Sequence, residues 1–413
     1  MNSRVDTGHS ALDQSILDRR ASLFAGDLAT VDDALSDSLR GARILMIGAA
    51  GSIGSSTLDT ILQFGPASVD IVDHNENGLA DLTRNLRSQD RDVELPALSL
   101  MPFDYGGEPF RLWLRSQPAY DHVLNFAALK HVRSEKDPFS ILAMLETNVL
   151  HLDRLGSLLS TSDVRRVFSV STDKAANPSS MMGATKRLME HALFLPSQAW
   201  NDATSVTSAR FANVAFSNGS LLRAWHDRIA LDQPLACPDQ CRRYFVSLLE
   251  SGHLCTLAAM VGSSRTIAVP SLEPQEHLVL LADVATRFLA HHGYEAHFTH
   301  DEHEAKGRMR ELVAEGRWPV LLTPLDTSGE KPYEEFVAAS ESVRGGPLPS
   351  LLEVGYVPPD DRDSFGRLVT IVRHLLGSDD SISIDELRAL IAAVEPTFAT
   401  SHRASALTLD NRM

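Results

Sequence analysis

Cysteine is scarce. Cys237, Cys241 and Cys255 are the only three in 413 residues, too few for a disulfide framework. Cys237 and Cys241 lie four positions apart, but no His or Cys pair at metal-ligand spacing completes a zinc site, so no metal is expected. The thiols read as reduced ones in a cytoplasmic protein. Basic residues are also short: 38 Lys and Arg stand against 54 Asp and Glu, a net charge of -16. That excludes a general nucleic-acid or anionic-membrane surface, while leaving room for a local basic pocket for phosphate. No apolar run approaches the roughly 20 residues of a membrane span. The first forty residues lack an apolar signal core and carry acidic residues throughout, unlike a secretion or transit signal. There is no internal repeat and no low-complexity tract.

What is present is an ordinary globular composition, 43% apolar and 22% charged, enough for a large core and two or three domains' worth of structure. Residues 1–40 read as a helical arm, with apolar positions at Ile16, Leu17, Leu23, Phe24 and Leu28. From Arg43 short β-rich runs alternate with amphipathic helices: RILMIG (43–48), SVDIVD (68–73), DHVLNFAA (121–128) and VRRVFSVS (164–171). That alternation predicts βαβ units in a parallel, doubly wound sheet, a Rossmann-like α/β fold over residues 41–215. TSVTSARFANV (204–214) is expected to extend the sheet. Residues 216–345 read as a smaller α/β substrate-binding domain, partly interleaved with the sheet, with helical patterns at 246–261, 279–291 and 301–315. Residues 346–413 read as further helices and a mobile polar tail, TSHRASALTLDNRM.

RILMIGAAGSIGSSTLDTIL places Gly48, Gly51 and Gly54 after a strand and before a helix, the G-x-x-G-x-x-G form of a dinucleotide fingerprint. Glycine lets the backbone turn sharply and approach a pyrophosphate, which the first-turn N–H groups, including those of Ser52 and Ile53, then bind. Asp73 ends the second strand, where a carboxylate suits the adenosine ribose hydroxyls and repels a 2'-phosphate. NAD is therefore expected over NADP. Asp104 suits a contact to the adenine, and Ala127, after the fourth strand, lines the same crevice.

STDKAANPSSMMGATKR (171–187) carries a Ser-Thr-Asp-Lys cluster, then Met182 and Lys186 at helical spacing. With NFAALKHVRSEKDPF, LETNVL, RFANV, RRYF and GEKPYEEF, it resembles the polysaccharide-biosynthesis branch of the extended short-chain dehydrogenases, and within it the UDP-N-acetylglucosamine 4,6-dehydratases. The form resembled has methionine where others have a tyrosine. The resemblance implies oxidation of a sugar at C4, loss of water across C5 and C6, and return of hydride to C6, on a tightly bound and regenerated NAD. It implies Lys174 as C5 base, Asp173 as acid at the C6 oxygen, Thr172 as partner of the C4 oxygen and Lys186 on the nicotinamide ribose. A second cation and partial burial are expected to favour the neutral form of Lys174. Asp173 or Lys174 is expected to take the C4 hydroxyl proton in the absence of tyrosine. The resemblance also implies Lys130, His131, Asn213 and Arg243 as substrate contacts, a backbone-bonding structural role for Asn148, and a dimer or higher homo-oligomer through the Rossmann helices.

One departure concerns the substrate diphosphate. Members of that branch carry Gly-Leu-Arg-Pro-Gly-Glu-Lys, whereas this chain reads PLDTSGEK, with Thr327 and Ser328 in place of arginine and proline. Threonine cannot replace a bidentate guanidinium, so either Arg210, Arg243 or Lys331 is expected to make the nucleotide contact, or the activated sugar is not the usual one. HHGYEAHFTHDEHEAKGRMRELVAEGRW reads as an amphipathic helix with a solvated face. An epimerase or oxidoreductase of the same superfamily, or a dinucleotide-binding subunit without turnover, are the alternatives to a dehydratase.

Overall fold

Runs of aliphatic residues separated by amphipathic helices build the sheet in the computed structural model, which describes residues 4–89, 94–130, 135, 137–198, 200, 203–326, 331–346 and 348–402. Strands β1 (Arg43–Ile47), β2 (Ser68–Val72), β3 (Ala97–Met101), β4 (His122–Asn125), β5 (Arg166–Val170) and β6 (Ser205–Ala209) lie parallel in the spatial order β3-β2-β1-β4-β5-β6. β1, β2 and β5 bury their last four residues without alternation, as strands covered on both faces do. The strand order reverses between β1 and β4, which opens a crevice at their carboxyl ends.

The chain then leaves the sheet and returns twice. β7 (Asn213–Val214), β8 (Leu235–Pro238) and β9 (Arg242–Val246) lie outside it, and β10 (Thr266–Pro270) rejoins parallel to β6. β11 (Leu278–Leu280), β12 (Glu295–Thr299) and β13 (Arg317–Thr323) depart again, and β14 (Val343–Gly345) and β15 (Leu351–Gly355) close the edge antiparallel. The outlying strands form two small sheets, β11-β9-β7 and β12-β13-β8. TSVTSARFANV is therefore not one strand. At Arg210 the side chain turns into the interior, and the backbone goes on to pair with β9 instead of β10. The stretch expected as one amphipathic helix also divides, into β12 and the short helices Glu302–Gly307 and Met309–Ala314, because Glu295–Thr299 pairs in register with Arg317–Leu321.

The amino-terminal helices Ala11–Leu17, Ala25–Thr30 and Asp32–Leu39 pack within the chain. Phe24, Leu28, Leu35 and Leu39 join the core with β1 and the helix Leu248–Val261, while Ile16 packs with Trp225, Phe288 and Trp318 of the outlying lobe. Arg19 fixes the arm through an ion pair to the buried Glu250 at 2.6 Å.

At the other end, helices Arg362–Leu376, Ile384–Val394 and Pro396–Ser401 bring Phe365, Leu368, Leu387, Ile391 and Phe398 against Met144, Leu145, Leu188 and Phe194. They cover the helices Pro138–Leu145 and Met181–Ser197. Of the tail expected to be mobile, residues 403–413 lie outside the described residues. Among the described residues no helix is long and apolar enough to cross a membrane.

Candidate active site

Gly48 follows β1 with φ of +77°. A Cβ there would lie 2.5 Å from the Ala127 nitrogen, so only glycine lets the turn after β1 press against the turn after β4. A Cβ on Gly54 would meet Ala49 Cα at 2.7 Å. The helix Ser52–Leu62 begins at Gly51 without a side-chain cap, leaving the N–H groups of Ser52, Ile53 and Gly54 for a ligand at its positive end. Asp73 is tied to this loop: its Oδ2 accepts from the Ala50 N–H at 3.1 Å and its Oδ1 from the Asn75 N–H at 2.9 Å. A backbone cradle that a Cβ would fill, uncapped amides and an anchored carboxylate fit a dinucleotide. Asp104 is exposed, its Oδ1 accepting from the Gly106 N–H at 2.9 Å. Ala127 donates its N–H to Asn125 Oδ1 at 3.1 Å.

β5 ends at Val170, and Thr172, Asp173 and Lys174 follow within one short turn. The Thr172 hydroxyl donates to Asp173 Oδ1 at 2.8 Å, as do the Lys174 backbone N–H at 2.8 Å and Lys174 Nζ at 3.1 Å. Three donors on one oxygen of a buried carboxylate fix its orientation. Beyond Lys174 stands Glu334, its Oε1 3.7 Å from Lys174 Nζ. Burial disfavours the charged form of this amine, but Asp173 and Glu334 outweigh both burial and the like charge of Arg243 and raise its pKa. The expectation of a neutral Lys174 is thereby corrected: two carboxylates hold the proton on.

The helix Met181–Ser197 begins at Ser180, whose Oγ accepts from the Gly183 N–H at 3.1 Å. A Cβ on Gly183 would sit 2.7 Å from the Lys174 carbonyl oxygen, so the first turn of this helix rests on the Thr-Asp-Lys segment. Met182 and Lys186 lie one turn apart on one face. Met182 is buried among apolar side chains, and its N–H donates to Glu135 Oε1 at 2.9 Å. Lys186 Nζ donates to the Val170 carbonyl at 2.8 Å, with Met189 Sδ at 2.9 Å. Burial lowers its pKa to about 7, with Glu190 opposing and Lys130 assisting. Asn148 sits in a π-helical turn, Glu146–Leu150, and its side chain bonds both backbone groups of Leu129 and the Thr185 hydroxyl, a structural clamp.

The remaining candidates divide. Arg210 is not a nucleotide contact. It is fully buried, with Nε and Nη2 paired to Glu190 and Nη1 and Nη2 paired to Glu341 at 2.7–2.8 Å, and Nη1 also reaches the Phe336 carbonyl at 3.0 Å. Burial favours a neutral Glu190, but Arg210 and Arg187 outweigh it and depress its pKa to about 2. Arg243 directs Nη1 at the carbonyls of Arg242, Lys331 and Pro332, and Lys331 Nζ donates to the Asn177 carbonyl. Asn213 reaches the Tyr244 carbonyl at 3.4 Å. Lys130 donates to the Asn218 carbonyl at 3.1 Å, while the Asn218 N–H donates to Ser52 Oγ at 3.0 Å, joining the β4 turn, the outlying lobe and the glycine helix. His131, Thr327 and Ser328 lie outside the described residues. Glu334 was not anticipated. It stands 160 positions from Lys174, and its only signal was its place in GEKPYEEF.

Comparison with known proteins adds a family model described as "Polysaccharide biosynthesis protein", which matches residues 44–354. An uncharacterized membrane protein of Methanocaldococcus jannaschii is 29% identical over 313 residues, 74% of this chain and 84% of that protein. The capsular polysaccharide biosynthesis protein CapD of Staphylococcus aureus is 28% identical over 63% of this chain, which spans only 43% of that protein's length. A UDP-glucose 4-epimerase of Rickettsia felis is 27% identical over 59% of this chain and 62% of its own. Among solved structures, DesIV of Streptomyces venezuelae, a dTDP-glucose 4,6-dehydratase with NAD and TYD bound, shares the fold with a TM-score of 0.56 at 18% identity, covering 81% of this chain and 98% of its own.

Proposed function

The chain belongs to the polysaccharide-biosynthesis protein family, and on that footing we propose that it is a nucleotide-sugar 4,6-dehydratase with NAD as its resident dinucleotide. The observation that carries this reading is the Thr172–Asp173–Lys174 cluster, a hydroxyl, a carboxylate and an amine joined by bonds of 2.8–3.1 Å at the carboxyl end of β5. Dehydration needs a polarising group, an acid and a base around one sugar ring, and these three supply them. The capsular relative supports a place in polysaccharide biosynthesis, and the fold is shared with a dTDP-glucose 4,6-dehydratase.

In this reading Gly48, Gly51, Ser52, Ile53 and Gly54 take the pyrophosphate, Asp73 the adenosine ribose, Asp104 the adenine and Lys186 the nicotinamide ribose, with Ala127 against the ring. When bound, the dinucleotide supplies an acceptor for two electrons from sugar C4 and gives them back at C6. Thr172 bonds the C4 oxygen and conducts its proton to Asp173 through their 2.8 Å contact. Asp173 passes that proton to the C6 oxygen as water departs. Lys174 removes the C5 proton and later restores it. The proton lost from the C4 oxygen thus leaves in the water, and no tyrosine is needed beside Met182. Lys130, Asn213 and Arg243 line the approach of the sugar nucleotide, UDP-N-acetylglucosamine or a close relative.

A second reading, a 4-epimerase, draws on the Rickettsia relative and uses the same first step without elimination. Mass spectrometry of the products from UDP-N-acetylglucosamine and related nucleotide sugars separates the two. A product lighter by one water supports the dehydratase, and an isobaric product contradicts it in favour of the epimerase.

A further inference from the structure

The dehydratase reading asks Lys174 to act as a base, yet the structure surrounds its amine with carboxylates that keep it protonated. The two carboxylates are not equivalent. Asp173 Oδ1 is held by three donors on its own turn. Glu334 comes from the distant segment 331–336, is 6% exposed, and places Oε1 3.7 Å from Lys174 Nζ and Oε2 4.0 Å from Lys331 Nζ. The charged groups that face it are Lys174, Asp173, Arg243 and Lys331.

We infer that Glu334 is the proton-holding partner of Lys174, taking the ammonium proton when the sugar docks and returning it when the cycle closes, an inference that rests on the dehydratase reading. The pair Lys174-NH3+/Glu334-COO- and the pair Lys174-NH2/Glu334-COOH contain the same number of protons. The free base therefore forms without proton exchange with solvent. The 3.7 Å gap exceeds a normal N–H···O bond by about 0.7 Å, within reach of a lysine torsion or one bridging water. Docking a neutral ring removes water from the pair, which favours the uncharged form over the ion pair. Burial, joined by Asp173, already raises the Glu334 pKa against the opposing Lys174, Arg243 and Lys331.

The protons balance through the cycle. The ammonium proton moves to Glu334, and the free amine of Lys174 takes the C5 proton as the C5–H bond breaks. The C6–O bond breaks with the proton that Asp173 received from the C4 oxygen. After C6 gains its hydrogen, Lys174 returns a proton to C5, and Glu334 recharges the amine. Glu334 acts through Lys174 and does not touch the sugar, so it is a positioning residue for the proton.

Glu334→Gln tests this with two readouts. The first is dehydration and deuterium exchange at C5, and the second is the titration of Lys174 followed by NMR of 13C-methylated lysines. The expected result is a turnover loss of at least ~100-fold with NAD and the sugar nucleotide still bound, together with a lowered Lys174 pKa. A merely structural ion pair predicts the opposite rate effect, because losing the negative neighbour frees the amine: unchanged or faster turnover in Glu334→Gln overturns the inference. A Lys174 titration that does not move also overturns it. Glu334→Asp keeps a carboxyl and is expected to recover part of the rate, and it carries the test if the glutamine variant does not fold. If the wild-type protein removes water from no nucleotide sugar, the dehydratase reading fails. A Lys174 titration left unmoved by Glu334→Gln overturns the pairing of the two residues independently of that outcome.

Discussion

The Thr172 hydroxyl donates to Asp173 Oδ1 across 2.8 Å, and the same oxygen receives Lys174 Nζ at 3.1 Å. One carboxylate oxygen therefore links the group that would meet a sugar C4 oxygen to the amine that would meet C5. In the dehydratase reading this link stands in for the hydroxyl that Met182 lacks. Thr172→Val keeps the shape and removes the link, so turnover is expected to fall about 100-fold with little change in KM. Steady-state kinetics on the NAD-loaded protein checks it, and a rate within a few-fold of wild type would show that the C4 proton takes another route.

Gly48→Ala places a Cβ against the Ala127 backbone and forces alanine to a φ of +77°. The left-handed conformation alone costs roughly 1–2 kcal/mol, and the backbone overlap adds to it. The purified variant is expected to carry less than a tenth of the wild-type NAD, measured by absorbance after denaturation. Full NAD content would show that the turn after β1 does not face the cofactor.

Arg210→Met removes a cation bonded to both Glu190 and Glu341 and leaves two buried carboxylates with reduced compensation. Loss of one partner of a buried pair costs about 3–5 kcal/mol, and urea unfolding is expected to show a loss of that size. A change in sugar-nucleotide affinity without a stability loss would contradict the structural assignment of Arg210.

Glu250 is bound by Arg19, His9 and the Leu23 N–H. Burial works to raise its pKa, but these partners outweigh burial and depress it to about 2. A depressed folded pKa contributes stability above the unfolded value, near 4.3, that disappears as pH falls toward 2. Glu250→Gln is therefore expected to flatten the acid limb of the stability curve between about pH 4.5 and 2, read by circular dichroism. An unchanged slope would mean that the arm is not held through this carboxylate.

The sheet and the glycine loop were legible because their signals are local. Aliphatic runs, an alternating helix pattern and Gly48, Gly51 and Gly54 at fixed spacing each depend on near neighbours in the chain. RWPVLLT and LLEVG are short apolar runs without a clear alternating period, and each is fixed as a strand partly by a partner some 85 residues away, β8 for β13 and β10 for β15. Arg210 looked like a ligand contact because arginine is normally exposed, and only the fold brings Glu190 and Glu341 to it. Thr172, Asp173 and Lys174 are consecutive and so share one turn, whereas Glu334, 160 residues on, reaches the Lys174 amine only through the fold, and its effect on that charge has no local signal.

The central claim is most directly tested by following a deuterium placed at C4 of UDP-N-acetylglucosamine through one turnover of the wild-type protein. A 4,6-dehydratase moves that deuterium to C6, so the product is expected to lack one water and to carry the label in its new methyl group. Label returned to C4 of an isobaric product, or lost to released reduced cofactor, would contradict the account.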